Sequence, residues 1–173
     1  RVKVIEKIDK EKGHNYYLHI AIAPTKNMDR FELFLEKATE IGIDEITPII
    51  CSRSERKIVK KDRCNRILLS AMKQSLKFYK PKLNESISFT DFIQQNFDGN
   101  KYIAHCKEGE KIRLRNKKIE KRTLILIGPE GDFSPNEIKK SIQNNCQAIS
   151  LGNSRLRTET AGIIAVTTVN LIN

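Results

Sequence analysis

The chain has 173 residues, 39% of them hydrophobic and 31% charged, with a formal net charge of +11. That length and balance suit one globular domain with a real core. No apolar run nears the roughly 18 residues that a membrane-spanning helix needs.

The four cysteines, Cys51, Cys64, Cys106 and Cys146, form no CxxC pair. Their spacing predicts free thiols in a reducing cytoplasm rather than a zinc ribbon. His14, His19 and His105 are too scattered to suggest a metal site.

The N-terminal RVKVIEKI alternates like a half-exposed strand and lacks the apolar core of a signal peptide. It reads as the last strand of something upstream. Residues 17–23, YLHIAIA, predict a buried strand. DRFELFLEKATEIG then has a helical period, with Phe31, Phe34, Leu35, Ala38 and Ile41 on one face and Gly42 as C-cap. Residues 46–50 predict a strand whose Pro48 implies an edge or irregular position. RSERKIVKKDRCNRILLSAMKQSLKFY holds a second helix, with Ile67, Leu68, Ala71, Met72, Ser75, Leu76 and Tyr79 on its packing side.

A short third helix is expected over 89–97 and a strand over 101–104. Residues 123–127, TLILI, are almost wholly apolar, as in a strand covered on both faces. Ser134, Pro135 and Glu137 form a capping-box start for the next helix. A short strand over 148–151 and a helix over 158–172, with Thr158 as its cap, complete the chain. The alternation of strands and helices predicts an α/β fold with a mainly parallel sheet flanked by helices.

Charge is unevenly spread. Residues 53–82 hold eleven Lys or Arg against two acids, and residues 107–122 hold eight against three. Such clusters fit a polyanion partner, nucleic acid first, or simply a solvated, lysine-rich surface.

In a parallel α/β sheet, ligands bind beyond the C-terminal strand ends. Two polar loops stand there. IGPEGDFSPNE has glycines that allow close backbone approach and leads into a capped helix, but it is neither a Walker loop nor GxGxxG. It is a ligand loop or a tight turn. LGNSRLRTETAG sets Arg155, Arg157 and Glu159 between apolar segments. Arg157 and Glu159 form a solvated pair there, or the stretch is a site.

GPEGDF at 128–133 with LGNSRLRTETA at 151–161 resembles the SPOUT class of RNA methyltransferases. RFELFLEKATEIGIDEITPI at 30–49, SRSER at 52–56 and KQS at 73–75 match in the same order the bacterial family that methylates N3 of a uridine in 16S ribosomal RNA. The similarity runs from about residue 17 onward.

The resemblance implies S-adenosyl-L-methionine as methyl donor, a C-terminal trefoil knot and a homodimer. It implies a PUA-like RNA-binding domain upstream, with residues 1–12 its remnant and 13–173 the methyltransferase domain. Three loops would hold the cofactor, through His105; through Ile127, Gly128, Pro129, Glu130 and Gly131; and through Leu151, Gly152, Leu156, Arg157, Thr158 and Thr160.

Uracil N3 must lose a proton and align with the methyl carbon, so positioning and charge stabilisation carry the reaction. Arg157 is the candidate to contact the uracil or its phosphate. Arg53 is the next, holding RNA or standing as a surface arginine. Glu159 is a candidate to orient Arg157 or to take the N3 proton. Arg53, Arg56, Arg63, Arg66, Lys73 and Lys77 are the expected RNA contacts, the RNA being 16S ribosomal RNA or the small ribosomal subunit.

Two departures from the family pattern stand out. The last glycine of GPEGG is Asp132, and the Gly-Arg after Gln74-Ser75 is Leu76-Lys77. A non-catalytic RNA-binding module, or a methyltransferase for another RNA, are the other readings.

Overall fold

The computed structural model describes residues 3–6, 13–117 and 122–173. Strand β1 (Tyr17–Ile22) leads to α1 (Met28–Ile41), β2 (Glu45–Ile50) and α2 (Lys61–Gln74). Two-residue strands β3 (Lys82–Leu83) and β4 (Ile87–Ser88) precede α3 (Phe89–Ile93) and β5 (Asn100–Ala104). Strand β6 (Ile112–Arg113) and a 3-10 turn at Leu114–Asn116 come before β7 (Arg122–Ile127). Helix α4 (Pro135–Gln143), β8 (Cys146–Ser150) and α5 (Thr158–Leu171) follow.

All described strand pairs are parallel, in the order β3-β2-β1-β7-β5-β8-β6, with β4 also against β2. The expected α/β class and mainly parallel sheet are therefore present. Strand β7 lies at the centre, and its alternate residues bury in opposite layers. Ile125 and Ile127 pack with Leu18, Ile20, Phe34 and Val166, whereas Leu124 and Leu126 pack with Phe89, Ile103 and Phe133. Two covered faces explain why TLILI shows no alternation.

Pro48 is tolerated for a local reason. The Ile46 carbonyl accepts from Asn84 N on the outer side of β2, so Pro48, two residues on, faces the same side. It falls between the short β3 and β4, which pair at residues 45–46 and 49–50 and ask no hydrogen bond of it.

Helix α1 starts at Asn27, whose side chain accepts from Asp29 N, and ends at Gly42 with φ of 137°. Helix α5 crosses α1 closely: a Cβ on Gly162 would lie 2.6 Å from Phe34 Cδ2.

Helix α2 ends at Gln74, earlier than its apolar period suggests. Leu76 is left-handed (φ 55°) and 82% exposed, so it does not share the packing face of Leu68 and Ala71. The third helix stops at Ile93, and β8 runs over Cys146–Ser150. Residues 3–6 form no strand, with Val4 and Ile5 exposed, and residues 1–2 and 7–8 of the RVKVIEKI stretch lie outside the described residues.

Among the described residues, no helix is long and apolar enough to cross a membrane, and no cluster of metal-ligating side chains occurs. Cys51, Cys64 and Cys146 are buried thiols; Cys106 is exposed.

Candidate functional site

The loops leaving β5, β7 and β8 enclose a cavity of about 590 Å³. It stands at the C-terminal strand ends, where this fold class places ligands. A wider basin of about 1410 Å³ opens at the other end of β5 and β8, around Lys101, Asn145 and Gln147, away from those loops.

Of the residues picked from sequence, His105, Ile127, Gly128, Pro129, Glu130, Leu151, Gly152, Leu156, Arg157 and Thr158 line the smaller cavity. Gly131 and Thr160 do not. Cys106, Lys111, Asp132, Asn153 and Ala161 also line it. Asp132, Asn153 and Ala161 lie within the two quoted loop motifs, whereas Cys106 and Lys111 belong to the loop after β5, which carries no motif of its own.

The 128–132 loop is the joint of this end of the molecule. Thr158 Oγ1 donates to the Gly128 carbonyl at 3.0 Å. Lys26 N donates to Glu130 Oε1 at 2.9 Å, and Arg53 Nη1 to the Gly131 carbonyl at 2.9 Å. Cys106 N donates to Asp132 Oδ2 at 3.1 Å. Packing favours glycine at 128, because a Cβ there would press on the buried Phe133 ring at 3.0 Å.

Asp132 has φ of 62°, and its Oδ1 accepts from Phe133 N at 2.8 Å. Asp tolerates this left-handed geometry better than most side chains. Its carboxylate therefore fastens the β5 loop where the family pattern has a glycine. The loop then enters α4 through the expected capping box of Ser134 and Glu137.

Thr158 does not cap α5. Arg157 is the N-cap residue and, with no acceptor on its guanidinium, makes no side-chain cap bond, while the Thr158 hydroxyl, one residue into the helix, is spent on Gly128. Arg157 is exposed on the cavity wall. Glu159 sits in the first turn of α5, as expected, but is only 6% exposed and lies outside the cavity lining. Its Oε1 is 3.9 Å from Arg30 Nε, while Oε2 has no hydrogen-bond partner among the described residues. The solvated Arg157–Glu159 pair is thus replaced by a pair between the buried Glu159 and the half-exposed Arg30. Arg30 was missed because its partner lies at the far end of the chain.

His105 lies in the cavity wall with its Nδ1 buried and unbonded among the described residues. Burial lowers its pKa and Lys111 reinforces the shift, while Asp132 and a backbone hydrogen bond at Lys107 oppose it, so the neutral ring is favoured. Lys111 Nζ also donates to the His105 and Lys107 carbonyls, shaping the first loop.

Among the basic candidates, Arg53, Arg63, Arg66 and Lys73 are exposed. Arg63 is paired with Glu32 at 2.5 Å. Arg56 is half-buried and gives both Nε and Nη2 to the Lys26 carbonyl. Lys77 is half-buried and points its Nζ at the Ile41 carbonyl, 3.5 Å away. Arg56 and Lys77 thus serve the fold as well as its surface charge.

Residues 12–170 match the family model described as an RNA methyltransferase domain. Ribosomal RNA small subunit methyltransferase E of Mesomycoplasma hyopneumoniae is 34% identical, covering 96% of this chain and 75% of that protein. The protein of the same name from Rickettsia conorii is 30% identical, over 90% of this chain and 64% of its own length. The chain thus spans about two thirds to three quarters of these relatives.

Among solved structures, one from Porphyromonas gingivalis named "probable rRNA-methyltransferase" has a TM-score of 0.90 and 39% identity, covering 95% of this chain and 71% of that one. A Legionella pneumophila structure solved "in complex with the bound cofactor SAM" has a TM-score of 0.83 and 29% identity, covering 91% and 66%. The chain belongs to the RNA methyltransferase family, in the group that includes the ribosomal RNA small subunit methyltransferase E proteins.

Proposed function

We propose that this chain transfers a methyl group from S-adenosyl-L-methionine to N3 of a uridine in 16S ribosomal RNA, in the cytoplasm and as a homodimer. The cavity closed by the β5, β7 and β8 loops carries this reading. Its volume is in the range of small-ligand sites. Its wall fits the cofactor. Ile127, Pro129, Leu156 and Ala161 offer apolar surface for a purine, and the backbone of the 128–131 and 151–157 loops offers polar groups. The buried, unbonded His105 Nδ1 is an orphan that a ligand hydroxyl or amine can satisfy.

The cofactor, when bound, supplies an electrophilic methyl group. The chain's own part is to hold and to neutralise. Thr158, Lys26, Arg53 and Cys106 fix the 128–132 loop from four sides. Arg157, exposed beside the cavity, is placed to meet the negative charge that develops on the uracil oxygens. Glu159 is committed to the α1–α5 junction through Arg30, which favours an orienting role in the fold over proton transfer in the cavity.

The path of the chain supports a C-terminal trefoil knot. Strand β8 lies between β5 and β6, and the segment joining β5 to β7 runs through β6 and the 3-10 turn at Leu114–Asn116. Helix α5 packs on that turn and on β1 and β7. On this reading the connection from β8 to α5 threads the loop formed by that segment. Residues 1–12 belong, on this reading, to a PUA-like domain, with 13–173 the methyltransferase domain.

The test is a calorimetric titration with S-adenosyl-L-methionine, then methyl transfer to small ribosomal subunits with mapping of the product. Saturable binding and a 3-methyluridine support the reading. No cofactor binding favours a non-catalytic RNA module, and a product in another RNA redirects the substrate.

A further inference from the structure

The turn that carries Arg53 is built with unusual care. Ser54 N donates to the Cys51 carbonyl at 3.0 Å, and Cys51 N donates to Ser54 Oγ at 3.0 Å. Ser52 and Arg53 therefore sit at the tip of a closed four-residue turn. The tip is gripped from a different element. Glu137, in the first turn of α4, accepts from Ser52 N at 2.8 Å and from Ser52 Oγ at 3.0 Å. The same carboxylate accepts from Ser134 N and Ser134 Oγ, both at 2.8 Å.

A capping box needs only the contacts to Ser134. The two bonds to Ser52 add nothing to α4 and hold the Arg53 turn against the cofactor loop. Burial raises the Glu137 pKa, but the bonds from Ser52 and Ser134 outweigh it and hold it below the ordinary carboxylate value, so the charge that grips Ser52 persists at neutral pH.

Arg53 itself then lies along Gly131. Its Nη1 donates to the Gly131 carbonyl, and a Cβ at 131 would press on the arginine stem at 3.3 Å. The guanidinium keeps further N–H groups beyond the one spent on Gly131. It is exposed at the mouth of this end of the sheet.

We infer that Glu137 and Ser52 are positioning residues that fix the Arg53 guanidinium on the cofactor loop, so that it meets an RNA phosphate in a set place. This deepens the RNA methyltransferase reading and rests on it. Arg53 spends one donor on Gly131 and offers the rest to phosphate, while Glu137 and Ser52 never touch the RNA.

A double-mutant cycle tests this with Ser52→Ala, Arg53→Ala and the pair, in the whole chain. Affinity for small-subunit ribosomal RNA is measured at one salt concentration, and S-adenosyl-L-methionine affinity and unfolding midpoint alongside. Ser52→Ala removes a hydroxyl and leaves the backbone bond, so the fold survives.

The expected RNA affinity loss is about three- to tenfold for either single variant. The pair should lose no more than Arg53→Ala alone, since a positioning residue has nothing to position once Arg53 is gone. Cofactor affinity should stay within about twofold in Ser52→Ala, whose side chain neither lines the cavity nor touches the 128–132 loop. Glu137→Gln should weaken RNA binding more than Ser52→Ala, by losing charge on all four bonds.

Additive losses in the pair, or wild-type RNA affinity in Ser52→Ala and Glu137→Gln, would overturn the inference. Cofactor binding and methyl transfer by the unaltered chain report separately on the parent reading.

Discussion

Thr158 Oγ1 donates to the Gly128 carbonyl, tying the start of the last helix to the loop after the central strand. Both residues line the same cavity. The link joins two of the three loops, so it sets both stability and cavity shape. Thr158→Val keeps the volume, deletes the donor and leaves a buried carbonyl unpaired. Thermal unfolding should report a loss of about 1–2 kcal/mol. Calorimetry should report weaker S-adenosyl-L-methionine binding than in the unaltered chain. An unchanged melting point would mean that solvent or a neighbour replaces the hydroxyl.

Leu76 and Asp132 occupy positions where the family pattern has glycine, and both are left-handed. Asp132 answers the strain with two hydrogen bonds from main-chain amides. Leu76 has an exposed side chain and gains little from it. Leu76→Gly should therefore raise the urea midpoint, by about 0.5–1 kcal/mol of stability. Asp132→Gly should lower it or leave it level, because relief of strain is set against two lost bonds. A Leu76→Gly variant less stable than the parent would show that the leucine packs usefully.

What could be read from sequence follows the physics of each element. Helix α1, with its helical period, and β7, with its unbroken apolar run, appear where expected, and so does the Ser134–Glu137 capping box. Strands β3, β4 and β6 have two residues each and carry no period to detect. The end of α2 was hidden because Leu76 and Tyr79 continue the apolar spacing beyond the last helical residue. At the site, glycines and arginines announced the loops. The use of Thr158 as a donor to Gly128, and the burial of Glu159 against Arg30, depend on which distant segments meet. No local pattern encodes that.

The base of the sheet should set the acid sensitivity of the fold. His19 is buried against Thr47 and Phe92, and burial lowers its pKa to about 4, with Glu45 opposing and Lys82 and Arg122 reinforcing. The unfolded chain therefore takes up this proton first, and stability falls as pH drops from about 6.5 to about 4. For Glu45, burial opposes ionisation, but bonds from Lys82, Tyr17 and Asn84 win and bring its pKa to about 2. Its contribution is complete above about 4.5 and is lost as pH falls towards 2. Urea midpoints across pH should show both limbs. His19→Gln should flatten the upper one and Glu45→Gln the lower one. Unchanged upper-limb slopes in His19→Gln would assign that limb to other groups.

Arg66 and Lys73 are exposed on α2, in the segment richest in basic residues. If they meet phosphates, their loss should act on the salt dependence of RNA binding rather than on selectivity. Each substitution to alanine should reduce the slope of log affinity against log salt by about 0.7–0.9. Lys77→Ala should show less of this effect and more loss of stability, because its stem is half-buried and its Nζ faces the Ile41 carbonyl. Equal slopes in all variants would place the RNA on another face.

Arg157 separates cofactor binding from chemistry. It lines the cavity yet caps α5 only with its backbone, so its side chain is not spent on the fold. An arginine there can present two donors to one oxyanion or phosphate. Arg157→Ala should lower turnover by about a hundredfold. Affinity for S-adenosyl-L-methionine and the melting point should barely move, since Gly128, Leu156 and Thr158 remain in place. Arg157→Lys should recover only part of the rate, as a point charge lacks the planar fork. Full activity in Arg157→Ala would shift the charge-stabilising role to another cation of this end of the sheet, such as Arg53 on Gly131 or Arg155 in the cavity wall.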